Sequence, residues 1–252
     1  MWATANTLVP GRGHSRWVRS SHWLLAASVL TLILSGVVIF MAHPRLYWGR
    51  VGNDLMPALI EIPIGRNYLS VTYGPTVEFF PGANHLVTAP RTYDIFNQNS
   101  WARSLHFLGA WFLVTVGLVY LFAGALGGHL WRDIVPRPKD FSPSAVWRDL
   151  AAHLRFPLPA APAGPPYNLL QRWSYFTVVC FALPLMALTG MTMSPALTAA
   201  LPGLLDLFGG SQSARTIHFF VFALLLLFLI AHLVMVVLSG FRRQMRAMTI
   251  GG

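Results

Sequence analysis

A chain of 252 residues with 55% hydrophobic and only 10% charged side chains has too little polar surface to wrap a soluble domain, which excludes an ordinary water-soluble enzyme. The formal charge of +10 does not point to nucleic acid, because the arginines stand in short segments beside apolar runs and build no basic face with interleaved aromatics. The single cysteine, Cys180, excludes a disulfide framework, a Cys-x-x-Cys-His haem attachment and a thiolate set for zinc or iron–sulfur.

The composition predicts an all-α integral membrane protein, a single domain over residues 1–252 folded as a four-transmembrane-helix bundle. Crossing the hydrocarbon layer takes about 20 apolar residues in a helix. The first such stretch covers about 20–42; its apolar part is too long for a secretory signal and no small-x-small site closes it, so it is expected to be retained. A long connection from His43 to Asn99 follows, rich in Pro, Gly, Tyr and Asn, and is expected to pack on the membrane surface or on a partner. The second helix is expected over about 104–130. A basic connection then includes a Pro-rich linker from Phe156 to Pro166. The third helix is expected over about 170–193 and the fourth over about 214–241. Between them Leu201-Pro-Gly-Leu-Leu-Asp-Leu-Phe208 is too short to span and reads as a small interfacial helix. The apolar cores of the four spans, Ser20–Ala42, Ser104–Leu130, Trp173–Met193 and Thr216–Phe241, contain no Asp, Glu, Lys or Arg.

Orientation follows from the excess of Lys and Arg in short cytoplasmic segments. The N-terminus, the connection between helices two and three and the tail together hold twelve, among them Arg12, Arg16, Arg137, Lys139, Arg155 and Arg242; the other two connections hold six. Both termini are therefore expected to be cytoplasmic, with a long periplasmic connection between helices one and two.

The chemistry is expected in the histidines, since an imidazole inside hydrocarbon is costly without a partner. Helix four carries His218 and His232, 14 residues apart, which is close to four helical turns; both rings leave nearly the same face, about 21 Å apart along the axis. Antiparallel threading brings His22 of helix one to the depth of His232 and His106 of helix two to the depth of His218. Two imidazoles on facing helices make a six-coordinate, electron-carrying haem with no open position for oxygen. Arginine precedes three of the four histidines at i−3, as Arg19, Arg103 and Arg215, and at the membrane boundary a guanidinium can pair with a haem propionate or equally with a lipid phosphate. Gly36, Gly109, Gly117, Gly124 and Gly190 offer room for close approach of helices or a flat macrocycle. His129, beside Arg132 and Asp133 at the cytoplasmic end of helix two, reads either as an interface anchor or as part of a quinone site. His14, His43, His85 and His153 lie outside the spans and read as solvated.

Several strings resemble a known family: Arg19-Ser-Ser-His22-Trp23, Ala42-His-Pro-Arg-Leu-Tyr-Trp-Gly49, Gly127-Gly-His-Leu-Trp-Arg-Asp133, Tyr167-Asn-Leu-Leu-Gln171, Leu188-Thr-Gly-Met-Thr-Met-Ser-Pro195 and Leu204 through His218. They are similar to the thiosulfate reductase cytochrome b subunit group, a branch of the bacterial di-haem cytochromes b that includes formate dehydrogenase gamma subunits and the cytochrome b of nickel–iron hydrogenases. The resemblance implies two haem b groups, one on His22 and His232 at the cytoplasmic side and one on His106 and His218 at the periplasmic side. It implies a multi-pass protein of the bacterial inner membrane that exchanges electrons with quinone and with a periplasmic oxidoreductase subunit, often molybdopterin-containing, and is no enzyme on its own. The competing readings are a haem-free transporter or anchor with proton-relaying histidines, and a stand-alone quinol-oxidising cytochrome; the first is disfavoured by spans without a carboxylate.

Overall fold

The computed structural model describes residues 15–53, 56–62, 100–154 and 169–251. His14, His85, most of the first long connection and the Pro-rich linker lie outside these, as does the side chain of His153.

Four helical segments among the described residues are long and apolar enough to cross a membrane: Arg16–Ala42, Ser100–Leu126, Leu169–Met191 and Ser211–Leu238. The first is helix α1 and the second α2. The third joins α4 (Leu169–Thr177) to α5 (Leu183–Met191) through a π-helical turn over Val178–Ala182. Pro184 has no N–H to return to the helix before it, and the wider turn is closed by the Leu183 N–H on the Val178 carbonyl. The fourth span is α8 (Ser211–Leu238). Short elements connect the spans: strands β1 (Arg45–Leu46) and β2 (Ile60–Glu61), helices α3 (Pro143–Leu154), α6 (Pro195–Ala200) and α7 (Gly203–Leu207), and a terminal helix α9 (Phe241–Thr249).

Span two starts and stops four residues earlier than the expected 104–130, and span four three residues earlier than the expected 214–241. The polar turns around Arg103 and Arg215 are themselves helical, while glycines set the ends. Gly128, at φ +72°, turns the chain out of α2, and Gly240, at φ +103°, does so after α8. His129 therefore does not end helix two. It begins a separate π-helical turn over Leu130–Ile134.

The described chain divides into two compact units. One comprises the described residues within 1–25, 114–184 and 222–252. Here Asp149 of α3 accepts the Leu170 N–H at the start of the third span (2.9 Å), Trp173 donates to the Asp140 carbonyl (3.1 Å), and the buried Arg172 lies 3.6 Å from the Asp140 carboxylate. The Trp23 indole donates to the Met248 carbonyl of α9 (2.9 Å), fastening the tail helix to the first span.

The other unit comprises the described residues within 26–113 and 185–221. The connection after α1, expected to rest on the membrane or a partner, packs on the chain itself in the part described. Strands β1 and β2 pair antiparallel, Arg45 opposite Glu61, and the two side chains form a buried ion pair at 3.4 Å. Pro44, Arg45, Leu46 and Tyr47 are buried, and His43 stacks on Tyr47, so His43 is not simply solvated. The Gly49 carbonyl accepts the Gln212 and Ser213 N–H groups (3.0 and 3.2 Å), and the Gly49 N–H donates to Ser213 Oγ (2.7 Å). A carbonyl distant in sequence thus caps α8, whose first N–H groups have no partner inside the helix. Thr216 donates to the Tyr47 carbonyl (2.6 Å), and Arg50 pairs with Asp206 of α7 (2.5 Å). The strings 42–49 and 204–218 are therefore two halves of one joint.

Candidate functional site

Each unit contains one facing pair of histidines. In the first, the His22 and His232 rings lie 6.4 Å apart between centroids at 49°; in the second, His106 and His218 lie 6.4 Å apart at 61°. A metal–imidazole bond of about 2 Å on each side, plus about 1 Å from each ring nitrogen to its ring centre, gives a separation of about 6 Å for two imidazoles on one iron. The residues present fit a haem held by two imidazoles. Among the described residues, no cluster of three or more His, Cys, Asp or Glu is placed to hold a bare metal ion.

The His106–His218 pair has a support that sequence reasoning missed. Ser35 Oγ lies 3.0 Å from His106 Nδ1, and Thr189 Oγ1 lies 3.0 Å from His218 Nδ1. Each hydroxyl donates to the carbonyl four residues back, Ser35 to Thr31 (2.7 Å) and Thr189 to Leu185 (2.8 Å). A hydroxyl has one proton to give, so with it given to the backbone the oxygen accepts from Nδ1–H. That fixes the tautomer and leaves Nε2 of each ring as the unprotonated nitrogen available to a metal. Ser35 and Thr189 are wholly buried, where breaking such a bond is costly. The residue after each hydroxyl is glycine, and the reason is visible: a Cβ on Gly36 would lie 3.3 Å from His106 Cε1 and one on Gly190 3.4 Å from His218 Cε1. The paired signals Ser35-Gly36 and Thr189-Gly190 were present in the sequence. Of the other glycines singled out, Gly109 lets α2 approach Leu32 and Thr31, Gly124 lies under Leu130 and His129, and Gly117 faces open space.

At the other pair, aromatic rings lie against both imidazoles. Trp23 meets His22 edge-on at 5.2 Å, and Phe228 stacks on His232 at 6.0 Å with 21° between the planes. Neither contact constrains a ring nitrogen.

The expected arginines differ in their surroundings. Arg19 lies against Gly251, a residue at φ +96°. Arg215 donates to the His43 carbonyl (2.6 Å) and lies within Coulombic reach of Arg103, which is exposed. Arg103 and Arg215 each precede a histidine of the His106–His218 pair by three residues, about one helical turn.

A family profile decides what kind of protein holds these pairs: that of prokaryotic cytochrome b561 matches residues 13–251. The chain belongs to the prokaryotic cytochrome b561 family. It is a multi-pass membrane haem protein, as the resemblance read from the sequence implied. It is also similar to a protein of Azospira oryzae named as a putative protein-methionine-sulfoxide reductase subunit, YedZ1. The two are 27% identical over 225 residues, which cover 89% of this chain and 90% of the relative. No solved structure matches the chain.

Of the third expected group, His129 and Asp133 form a cluster, with Tyr120 as an unforeseen member. His129 Nδ1 lies 2.7 Å from the Asp133 carboxylate, and its Nε2 lies 3.1 Å from the hydroxyl of Tyr120, a residue of the second span. Trp17 packs on both rings, 5.5 Å from His129 and 5.6 Å from Tyr120. Arg132 does not join this cluster through its guanidinium, which donates to the Gly127 carbonyl (3.0 Å) and closes the turn.

Proposed function

We propose that this cytochrome b561 family member is a di-haem electron-transfer subunit of the inner membrane. It would carry electrons between the quinone pool and a periplasmic oxidoreductase subunit, one of the molybdopterin-containing class. Its termini are assigned to the cytoplasm by the excess of Lys and Arg in the segments beside them. The observation that carries the reading is the repeated 6.4 Å spacing of imidazoles, His22 with His232 and His106 with His218, each pair drawing one ring from α8. Bound there, haem b would supply one-electron oxidation and reduction. The chain's own task is to hold the four rings in place, keep water out and present anion-binding groups at the helix mouths. We assign Arg19, Arg103 and Arg215 to the haem propionates, and place quinone beside His129, Arg132 and Asp133. The Azospira relative is named as a reductase subunit, which supports a role within a complex rather than catalysis by this chain alone.

Purified protein is expected to carry about two low-spin b-type haems per chain, both reduced on adding a quinol. Colourless protein after expression with ample haem would end this reading.

The hydroxyl supports make a finer prediction. Ser35→Ala or Thr189→Val removes the acceptor for Nδ1–H, so the imidazole becomes a poorer donor to ferric iron and the potential of that haem rises. A hydrogen bond of about 0.5–1.5 kcal/mol corresponds to roughly 20–60 mV for one electron. A redox titration should show that upward shift in one haem only. A downward shift, or equal shifts in both haems, would contradict the tautomer assigned to these rings.

A further inference from the structure

We infer that Tyr120, His129 and Asp133 form a proton relay for quinone chemistry, with Trp17 as the aromatic wall of the headgroup site. The inference deepens the quinone assignment made above and rests on it.

Three groups stand in series. Tyr120 belongs to the apolar second span, six residues before its end, whereas His129 and Asp133 belong to the π-helical turn that follows the Gly127-Gly128 reversal. The series thus begins at a phenol within the span, about 9 Å of helical rise from its end, and finishes at a carboxylate whose side chain is 22% exposed. Donor roles are consistent along it. The Asp133 carboxylate accepts from His129 Nδ1–H, so His129 Nε2 is left to accept from Tyr120 O–H. Structural anchoring does not require the series, because other bonds already close the turn: Arg132 to the Gly127 carbonyl, Arg137 to the Arg132 carbonyl (3.2 Å), and Val135 N–H to the Leu130 carbonyl (2.8 Å).

We place the hydroquinone at the Tyr120 end of the series, beside Trp17. Its flat ring matches the partly exposed indole of Trp17, which precedes His22 by five residues on α1, about 7.5 Å of rise. Oxidation of a hydroquinone breaks two O–H bonds and yields two electrons and two protons. The electrons would be taken up one at a time by a haem held between His22 and His232. Each proton passes from the hydroquinone oxygen to Tyr120 Oη as the Tyr120 proton moves to His129 Nε2. The Nδ1 proton then leaves through Asp133 to water, and a half-turn of the imidazole, which brings its remaining N–H back to Asp133 and its bare nitrogen back to Tyr120, readies the series for the second proton. Quinone reduction runs the same series backwards.

The test uses the full chain, haem-loaded in lipid nanodiscs, with decyl-benzohydroquinone as reductant and an azido-decylbenzoquinone as photolabel. Tyr120→Phe and His129→Gln should retain the parent's haem content and dithionite-reduced spectrum while reduction by hydroquinone slows about 100-fold or more. Imidazole added to His129→Gly should restore much of the rate, which a purely structural role would not allow. The photolabel should attach to peptides containing Trp17 or residues 120–133, in the parent and in Tyr120→Phe alike. Parent rates in both variants, or labelling confined elsewhere, would overturn the relay. A parent without haem would overturn the cytochrome reading and the relay with it. A parent whose haems accept electrons from dithionite but not from hydroquinone would overturn the quinone assignment and the relay, leaving the haem ligands standing.

Discussion

Replacing His106 with alanine is expected to reduce the haem content from about two per chain to about one, and His22→Ala to do the same by removing the other haem. The two losses differ spectroscopically because the pairs differ in surroundings. His106 and His218 are hydrogen-bonded to Ser35 and Thr189, whereas His22 and His232 have Trp23 and Phe228 against their rings. His218→Ala should reproduce the His106→Ala spectrum, and His232→Ala the His22→Ala spectrum. Haemochrome assay and low-temperature spectra of the reduced protein report both points. Loss of the same haem from His106→Ala and His22→Ala would overturn the ligand pairing.

The second large effect is structural, at Gly210. Its φ of +117° is open to glycine and strained for any residue with a Cβ, at about 1–3 kcal/mol. A Cβ there would also lie 2.5 Å from the Gly49 carbonyl oxygen. That oxygen receives the Gln212 and Ser213 N–H groups, so it cannot move aside without stripping the start of α8 of its cap. Gly210→Ala is therefore expected to destabilise the protein by roughly 3–5 kcal/mol, at the upper end for one substitution. Thermal unfolding in detergent should show a large drop in Tm. The haem assigned to His106 and His218 should be the first lost, because His218 lies two turns into the helix so capped. Gly203→Ala is the control: a Cβ there meets nothing within 4 Å, and alanine suits α7. Equal melting of the two variants would remove Gly49 from its capping role.

Much of this was legible in one dimension. Four apolar runs without acids name the spans, since hydrocarbon length and helical rise leave little choice. The 14-residue interval from His218 to His232 is set by helical periodicity alone, so the expected pairs with His106 and His22 could be written down before any coordinates. Helix ends were less legible. Gly127-Gly128 and Gly240 cut α2 and α8 shorter than their apolar composition, because a single positive φ ends a helix that hydropathy would continue.

The sequence by itself determined the membrane class, the four spans and which histidines would meet, because each follows from a local property: hydropathy, span length or helical period. Only the tertiary structure decided how those imidazoles are held and what lies beside them. Ser35, Thr189 and Tyr120 act on side chains 71, 29 and 9 residues away, and the Gly49 carbonyl caps a helix that begins 162 positions later at Ser211. Hydrogen bonds of this kind depend on angles and distances of a few ångströms between separate elements, and no periodicity along the chain encodes them.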